Sequence, residues 1–462
     1  MSGPKELPTP AIAGPVHFVG IGGVGQRATA EVLLAQGVPV TGSDLQDSEA
    51  LSALARLGAA VHVGHSASNV GNAKIVVVSS AIPEQNPEIA EARRRDAEVI
   101  KNAELLRRLG SGRRTLAVAG THGKTTTTSM LAWVLISAGL DPAAVAGGEM
   151  RNLASSGHAG AGPWFVVEAD EYDRRFLRLE PWCAVVNNLE PDHLDYYGSL
   201  EALVGAFRQF VASVPPDGLV VLGADDEGAG ALAPYAAAPT VRFGLGPADW
   251  QAIHVRQTSA ITRFAILHDG RIAAECALQV PGLHNVRNAL AACAAAAAAG
   301  VGADVAAAAL GEFQGARRRF DLAGEAGGVT VLDDYAHLPA KLRAAIGAAR
   351  QRYPGRRLWA VFQPHTYART RLLIDDFVAA CAEADRTVIV STYAPSGREQ
   401  VNADQEARDL AARLDAPYLP GKDAVPEALA SQLAPGDVVL LLGAGDIYLA
   451  AQPLLQLLRA PT

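Results

Sequence analysis

The stretch AVAGTHGKTTTTSML, Ala117 to Leu131, indicates how the middle of this chain folds. An apolar run ends at Gly120, a second glycine and Lys124 follow, and a helical pattern begins near Thr125. Amides at such a turn can point at phosphate oxygens, and the helix adds its positive end. Lys124 can neutralise phosphate charge, and Thr125 can offer its hydroxyl to Mg²⁺. The stretch predicts a strand, a phosphate-binding loop and a helix, although the loop is shorter than the common G-x-x-x-x-G-K-[ST] motif.

A second glycine-rich stretch, GIGGVG at residues 20–25, has the spacing of a dinucleotide-binding loop. It lies between a predicted strand and a predicted helix, and Asp44 ends the next strand, VPVTGSD. An NAD-dependent oxidoreductase would use these groups for its cofactor. A UDP-sugar would satisfy the same groups, because the loop binds a diphosphate and the acidic side chain binds a sugar or base edge. The loop by itself leaves both ligands open.

Composition places the chain among globular proteins. Its 462 residues include 49% hydrophobic and 19% charged residues, which predicts roughly three packed domains. A net charge of −8 argues against nucleic-acid binding. The sequence contains no close pair among its four cysteines, Cys183, Cys276, Cys293 and Cys381. We therefore expect neither disulfides nor a zinc site, and we expect a cytoplasmic location. The first fifteen residues have no signal-peptide pattern, and the alanine-rich stretch 289–310 predicts two buried helices rather than a membrane span.

Short β-rich runs alternate with helical patterns along the whole chain, which predicts an α/β fold with parallel sheets. A polar stretch at 107–114 separates the first block from the second, and the second block runs to about residue 320. Many buried strands end in polar residues. Ligands of open α/β sheets bind at the carboxyl ends of the strands, so we expect the site there.

Acidic residues and a histidine follow two of the central strands. EADEYD contains Glu168, Asp170 and Glu171, and NNLEPDHLDYYGS contains Glu190 and His193. Mg²⁺ prefers oxygen ligands and keeps several waters, so a glutamate and a histidine beside phosphates form a plausible incomplete shell. Further along, HNVRNALAA begins a predicted helix, where amides can contact an adenine edge; such residues are also common helix caps.

Taken together, GTHGKTTTT, EADEYD, NNLEPDHLDYYGS, HNVRNALAA, GARRRFD, DDYAHLPAKL and GAGDIY resemble, in order, the motifs of the Mur ligase family. These are the ATP-dependent amide-bond ligases of peptidoglycan assembly. The resemblance implies an α/β, three-domain architecture. A Rossmann-like UDP-binding domain would span residues 1–111, a P-loop ATPase domain 112–321, and a C-terminal Rossmann-like domain that binds the amino acid 322–462.

The resemblance also assigns site residues by motif position. For ATP it implies Gly120, Thr121, His122, Gly123, Lys124, Thr125, Thr126, His284, Asn285, Asn288, Arg318 and Asp333. For Mg²⁺ it implies Thr125, Glu168 and His193, with Lys124, Glu168 and His193 as the catalytic set. For the UDP part of the substrate it implies Gly22, Gly23, Gly25, Asp44, Ser79 and Ser80, and for the amino acid Tyr335, His337, His365 and Arg369.

Within the family, HFVGIGGVG and FQPHTYARTRLL are most similar to the members that join L-alanine to the lactyl carboxylate of UDP-N-acetylmuramate. The alternatives are a ligase that recycles a murein tripeptide onto the same acceptor and, more remotely, the oxidoreductase. Leu338 lies where many alanine-adding members carry a histidine, and Thr366 lies where some carry an arginine. The segment AVAGGEMRNLASSG is shorter than the family's usual glycine-rich substrate loop. We expect hinges near residues 110 and 320, a monomer or homodimer, and no stable membrane association.

Overall fold

The computed structural model describes residues 12, 14–80, 82–394 and 403–459. Its first sheet has five parallel strands in the order β3-β2-β1-β4-β5. The strands are β1 Val16–Val19, β2 Val40–Asp44, β3 Ala60–Val63, β4 Ile75–Val78 and β5 Glu98–Lys101. The helices are α1 Val24–Ala35, α2 Glu49–Arg56, α3 Pro87–Arg94 and α4 Asn102–Gly110. The central strands β1 and β4 are wholly buried, which is why they consist almost entirely of apolar residues.

The second sheet has ten strands in the order β15-β14-β13-β12-β11-β10-β6-β9-β7-β8. The strands are β6 Arg114–Ala119, β7 Ala143–Met150, β8 Ser155–Ala159, β9 Trp164–Glu168, β10 Cys183–Val186, β11 Leu219–Gly223, β12 Thr240–Gly244, β13 Trp250–Gln257, β14 Thr262–His268 and β15 Arg271–Leu278. The helices are α5 Lys124–Ser137, α6 Leu194–Tyr197, α7 Leu200–Ala212, α8 Glu227–Gly230, α9 Leu283–Ala298 and α10 Ala303–Gly311. The helices α9 and α10 are the two helices predicted from the alanine-rich stretch.

The third sheet has six strands in the order β16-β17-β21-β18-β19-β20, parallel except for the antiparallel pair β16–β17. The strands are β16 Asp321–Ala326, β17 Val329–Asp334, β18 Leu358–Phe362, β19 Arg386–Val390, β20 Tyr418–Leu419 and β21 Val438–Leu442. The helices are α11 Pro339–Arg352, α12 Tyr367–Leu372, α13 Ile374–Cys381, α14 Gln405–Arg413, α15 Val425–Ala430 and α16 Ala451–Arg459. The predicted α/β class with parallel sheets is therefore confirmed.

Contacts divide the chain into two compact units. The first comprises residues 1–255, 263–278 and 285–314, and the second comprises 256–262, 279–284 and 315–462. The first unit includes the five-stranded sheet together with most of the ten-stranded one, and a single buried apolar cluster runs from Ile12 to Ala238. The hinge expected near residue 110 therefore coincides with no unit boundary, whereas the boundary at 314/315 lies close to the one expected near 320.

All four cysteines are free and buried. Burial raises the pKa of the Cys183, Cys276 and Cys381 thiols to about 12, and raises that of Cys293 as well. The thiols therefore act as small apolar groups in the cores. Among the described helices, none combines the length and apolar character needed to cross a bilayer.

Candidate active site

The lysine-bearing loop leaves β6 after Ala119 and enters α5 at Lys124. Gly120 and Gly123 both have a left-handed backbone, with φ of +127° and +78°. A side chain at Gly120 would lie 3.1 Å from the backbone nitrogen of Asn187, and one at Gly123 would overlap Asn288 Oδ1. Only glycine fits at both positions. The backbone can therefore make the close turn that a phosphate-binding loop requires.

Two asparagines that follow β10 hold this loop in place. Asn188 Oδ1 accepts a hydrogen bond from the His122 amide at 2.7 Å. Asn187 Nδ2 donates to the His122 carbonyl at 3.2 Å and to Thr127 Oγ1 at 3.1 Å. Sequence reasoning assigned neither asparagine a role. Their position in the sequence could have indicated a role, because they directly follow β10, the strand that pairs with β6 in the sheet.

Lys124 forms an ion pair with Glu171, a residue that the sequence analysis noted without assigning it a role. Lys124 Nζ lies 2.8 and 2.7 Å from the two Glu171 carboxylate oxygens and donates to the Gly120 carbonyl at 2.7 Å. Burial raises the pKa of Glu171 to about 6, and the Lys124 ammonium opposes that rise. Burial also disfavours the ammonium, but the surrounding carboxylates outweigh it and raise the pKa of Lys124. At neutral pH both groups are therefore charged.

One cluster of potential metal ligands stands out among the described residues. Single ligand atoms of Asp170, Glu171 and His193 all lie within 4.8 Å of one another. Of the predicted metal set, His193 belongs to this cluster, and Thr125 lies buried in the first turn of α5. Glu168 has a different contact, because its Oε2 accepts a hydrogen bond from the Gly147 amide at 2.7 Å. Two carboxylates and an imidazole fit a divalent cation that keeps part of its water shell.

The other predicted ATP residues of the first unit also lie around the loop. His122 Nε2 is 2.9 Å from Glu190 Oε2, and Thr121 Oγ1 donates to the Glu190 carbonyl. Thr126 is buried in α5. Asn288 Nδ2 donates to Asn285 Oδ1 at 3.1 Å, and Asn288 packs on Gly123. Asn288 therefore supports the loop directly, while its neighbour His284 falls in the second compact unit.

The residues predicted for the UDP part gather at the carboxyl edge of the first sheet. Asp44 Oδ2 accepts a hydrogen bond from the Gly22 amide at 2.9 Å, and Gly23 caps α1. Ser79 Cβ lies 3.3 Å from the position that a Cβ atom on Gly20 would occupy. Two further contacts complete the set: the Gly25 carbonyl accepts from Asn102 Nδ2, and Ser80 Oγ donates to Asp173. The first sheet thus brings Gly22 and Asp44 into direct contact.

In the second unit, Arg318 is held by contacts on several sides. Its Nη2 donates to the carbonyls of Gly443 and Gly445 at 2.8 and 3.0 Å, and its Nε lies 3.3 Å from Asp333 Oδ2. The guanidinium also lies over the rings of Tyr335 and Tyr448. Burial raises the pKa of Asp333 to about 7, although the Arg318 charge opposes that rise. Arg318 and Asp333 therefore form one connected group.

The four residues predicted for the amino acid are also close to one another. The His337 ring lies 5.3 Å from the Tyr335 ring and 5.7 Å from the His365 ring, and Arg369 Nη1 is 3.3 Å from His365 Nδ1. Burial lowers the pKa of His337 well below its usual range, so its imidazole is neutral at neutral pH. Tyr393, which the sequence analysis missed, stacks on His365.

Comparison with known proteins supports a single family. The model described as "Mur ligase family, catalytic domain" matches residues 15–114, "Mur ligase middle domain" matches 118–296, and "Mur ligase, glutamate ligase domain" matches 318–445. The UDP-N-acetylmuramate–L-alanine ligase of Salinibacter ruber is 43% identical over 96% of this chain and 95% of its own. The chain belongs to the Mur ligase family. The ligase of the same name from Rubrobacter xylanophilus is 44% identical over 95% of this chain and 99% of its own.

Solved structures of Mur ligases have the same architecture. The UDP-N-acetylmuramate-alanine ligase of Thermotoga maritima matches with a TM-score of 0.83 at 30% identity, covering 96% of this chain and 98% of its own. A murein peptide ligase of Psychrobacter arcticus matches with a TM-score of 0.76 at 28% identity, covering 97% of this chain and 100% of its own. The three-domain Mur ligase architecture is therefore confirmed. The domain boundaries at 111/112 and 321/322 and the role of each site residue stay predictions.

Proposed function

We propose that this chain joins L-alanine to the lactyl carboxylate of UDP-N-acetylmuramate, with conversion of ATP to ADP and phosphate, in peptidoglycan synthesis. The observation that carries the proposal is the 43–44% identity to alanine-adding ligases over 95–96% of the chain. The clustered Tyr335, His337, His365 and Arg369 support it at the site predicted for the amino acid. We also propose that the reaction takes place in the cytoplasm, because its substrates include ATP and a UDP-linked sugar.

The reaction needs an activated carboxylate, because a free carboxylate is a poor electrophile. The lactyl carboxylate oxygen attacks the γ-phosphorus of ATP, ADP leaves, and an acyl phosphate results. The alanine amine then attacks the acyl carbon, inorganic phosphate leaves, and the nitrogen loses a proton. Such phosphoryl transfer depends on positioning and charge neutralisation rather than on a protein nucleophile.

The residues of the first unit fit this demand. Lys124 supplies a fixed positive charge at the glycine loop, and the N-terminus of α5 adds its dipole. Asp170, Glu171 and His193 form a cluster of potential Mg²⁺ ligands, and the Thr125 hydroxyl and Glu168 are further donors that we assign to the ion from the family motifs. Bound Mg²⁺ would neutralise charge on the transferred phosphoryl group. Asp44 and Gly22 would hold the UDP part.

The second unit supplies groups that suit a small amino acid. Arg369 can grip a planar carboxylate with two hydrogen bonds, and the neutral His337 imidazole can accept a hydrogen bond from the attacking amine. Thr366, at the position where some family members carry arginine, has φ of +70°, a strained conformation for a β-branched residue. Because threonine carries no positive charge, we assign Arg369 to the carboxylate of alanine.

A substrate-swap assay tests the proposal. Phosphate release from ATP in the presence of UDP-N-acetylmuramate and Mg²⁺ should rise on addition of L-alanine. Stimulation by the murein tripeptide but not by alanine would instead establish the recycling reaction. If neither alanine nor the tripeptide increased phosphate release, both ligase activities would be rejected.

A further inference from the structure

The hairpin formed by β7 and β8 contains an irregular segment opposite a single residue. Val145 pairs with Gly157, and Met150 pairs with Ser155, so residues 146–149 lie opposite Ser156 alone. We call these four residues the 146–149 bulge. A bulge of this kind redirects the backbone groups that it contains. Here it directs the Gly147 amide to Glu168 Oε2, at 2.7 Å.

A buried glutamate of α1 holds the strand opposite this bulge. The Glu31 side chain is only 5% exposed, and its Oε2 accepts hydrogen bonds from the Ser156 amide at 2.8 Å and from Ser155 Oγ at 2.9 Å. Its Oε1 accepts from Arg27 Nε at 2.8 Å, and Arg27 Nη2 lies 3.5 Å from Glu149 Oε2. The pair Arg27 and Glu31 therefore contacts both sides of the bulge.

Helix α1 also packs closely against β8 at Gly157. A side chain on Gly157 would lie 2.6 Å from Val32 Cγ2 and 2.8 Å from the Ala28 carbonyl. The face of α1 that carries Ala28 and Val32 is otherwise apolar. Burying a carboxylate costs free energy unless hydrogen bonds satisfy it. Apolar side chains alone could have packed α1 against the β7–β8 hairpin without that cost. The carboxylate therefore specifies one register of the hairpin on α1.

We propose that Glu31 is a positioning residue for Glu168: it fixes the 146–149 bulge, and the bulge fixes the Gly147 amide that orients the Glu168 carboxylate. The inference rests on the proposed function in one respect, the role of Glu168 at the metal. The proposed role links α1, whose first residue Val24 lies within the glycine loop at 20–25, to the Glu168 carboxylate near Lys124. Partners that orient a metal ligand in this way typically change metal affinity or activity 10- to 100-fold when they are removed.

The test compares Glu31→Ala and Glu31→Gln with a control, Asp437→Asn. Asp437 is also a buried carboxylate paired with an arginine, Arg357, but it lies in the second unit, just before β21. We would measure Mn²⁺ affinity in the presence of ADP by electron paramagnetic resonance, the Mg²⁺ concentration for half-maximal phosphate release, and amide hydrogen exchange over residues 143–159.

Glu31→Ala should speed exchange in the bulge, weaken Mn²⁺ binding roughly tenfold or more, and raise the Mg²⁺ requirement by a similar factor. Asp437→Asn should change neither metal measurement. Faster exchange with unchanged Mn²⁺ affinity would show that Glu31 only docks the hairpin, and would overturn the proposal. If Glu31→Ala fails to fold, Glu31→Gln decides by the same criterion, because it keeps the size and one acceptor oxygen. The unmodified enzyme's response to alanine tests the proposed function separately.

Discussion

The buried pair of Lys124 and Glu171 changes what a substitution in the glycine loop should do. The sequence alone predicts that Lys124→Ala abolishes turnover with little loss of folding. In the structure, that change leaves the Glu171 carboxylate, which is 1% exposed, without its ammonium partner. Removing one partner of a buried pair costs about 3–5 kcal/mol. We therefore expect Lys124→Ala to be both inactive and less stable in urea unfolding.

The double variant Lys124→Ala with Glu171→Gln separates the two effects. It should remain inactive, since the charge at the phosphate is missing, but should regain most of the lost free energy of unfolding. Equal stability of the single variant and the native chain would contradict the pairing. Full activity of either variant would remove Lys124 from the ATP site.

Gly147 offers a second prediction for a single residue. A methyl group there would overlap the Glu168 carboxylate, and the backbone at Gly147 needs no left-handed conformation. Gly147→Ala should therefore displace the flexible end of Glu168 and lower kcat at least roughly tenfold, with little change in Tm. Gly205→Ala is the matched control, because Gly205 lies in α7 with open space around it. Similar kcat values for both variants would argue against a role for Glu168.

Sequence reasoning located the glycine loop and His193 but assigned no role to Glu171. EADEYD contains two glutamates of the same chemistry, and only the turn after β9 decides which one meets Lys124. That turn has left-handed backbone at Asp173 and Arg174, which no local pattern predicts. Asn187 and Asn188 were overlooked for a similar reason, since their contacts come from a neighbouring strand distant in sequence.

At the scale of elements, Glu88 of α3 joins the ends of several segments in the first sheet. Its fully buried carboxylate accepts hydrogen bonds from Ser43 Oγ at 2.6 Å and Asn69 Nδ2 at 2.7 Å, and contacts His17 and His65. Burial alone would raise the pKa of Glu88, but His17, Ser43 and Asn69 outweigh it and lower the pKa to about 2.

This cluster predicts an acid sensitivity of the first sheet. Because the folded pKa lies below the ordinary value of 4.5, Glu88 stabilises the fold above about pH 4.5 and loses that effect as pH falls toward 2. The full contribution is about 3 kcal/mol. Glu88→Gln should be less stable than the native chain at pH 6. Between pH 6 and pH 3 its free energy of unfolding should fall by about 2 kcal/mol less than that of the native chain. Urea unfolding at pH 6 and pH 3, together with hydrogen exchange in β2, measures these changes in stability. The control Glu201→Gln removes an exposed carboxylate and should leave the stability at both pH values unchanged.

The sequence predicted most elements because their signals are local. Buried strands such as β4 and β21 are continuous apolar runs, and alanine with Gly300 and Gly302 defines α9 and α10. The segment AVAGGEMRNLASSG is different, because it is shorter than the family's glycine-rich substrate loop and forms much of the β7–β8 hairpin. Its bulge depends on Glu31, more than a hundred residues earlier in the chain, so local pattern could not predict it.

At the scale of the whole molecule, the expected motion of domains can be tested in solution. Motif residues occur in both compact units, and the sequence predicts that the domains close on bound ligands. Small-angle scattering should show a smaller radius of gyration with an ATP analogue and UDP-N-acetylmuramate together than with either ligand alone. An unchanged radius would count against closure. Of the two hinges expected near residues 110 and 320, the second lies close to the unit boundary at 314/315.

The buried cysteines have a practical consequence for such experiments. Thiolates, not thiols, react with maleimides, and all four native thiols are buried with raised pKa values. The native chain should therefore gain no adduct in a mass spectrum under mild labelling. One cysteine introduced at exposed Glu201 and another at exposed Ser431 should each gain a single dye. Fluorescence from an introduced label can therefore follow each unit during turnover, and no native cysteine has to be removed first.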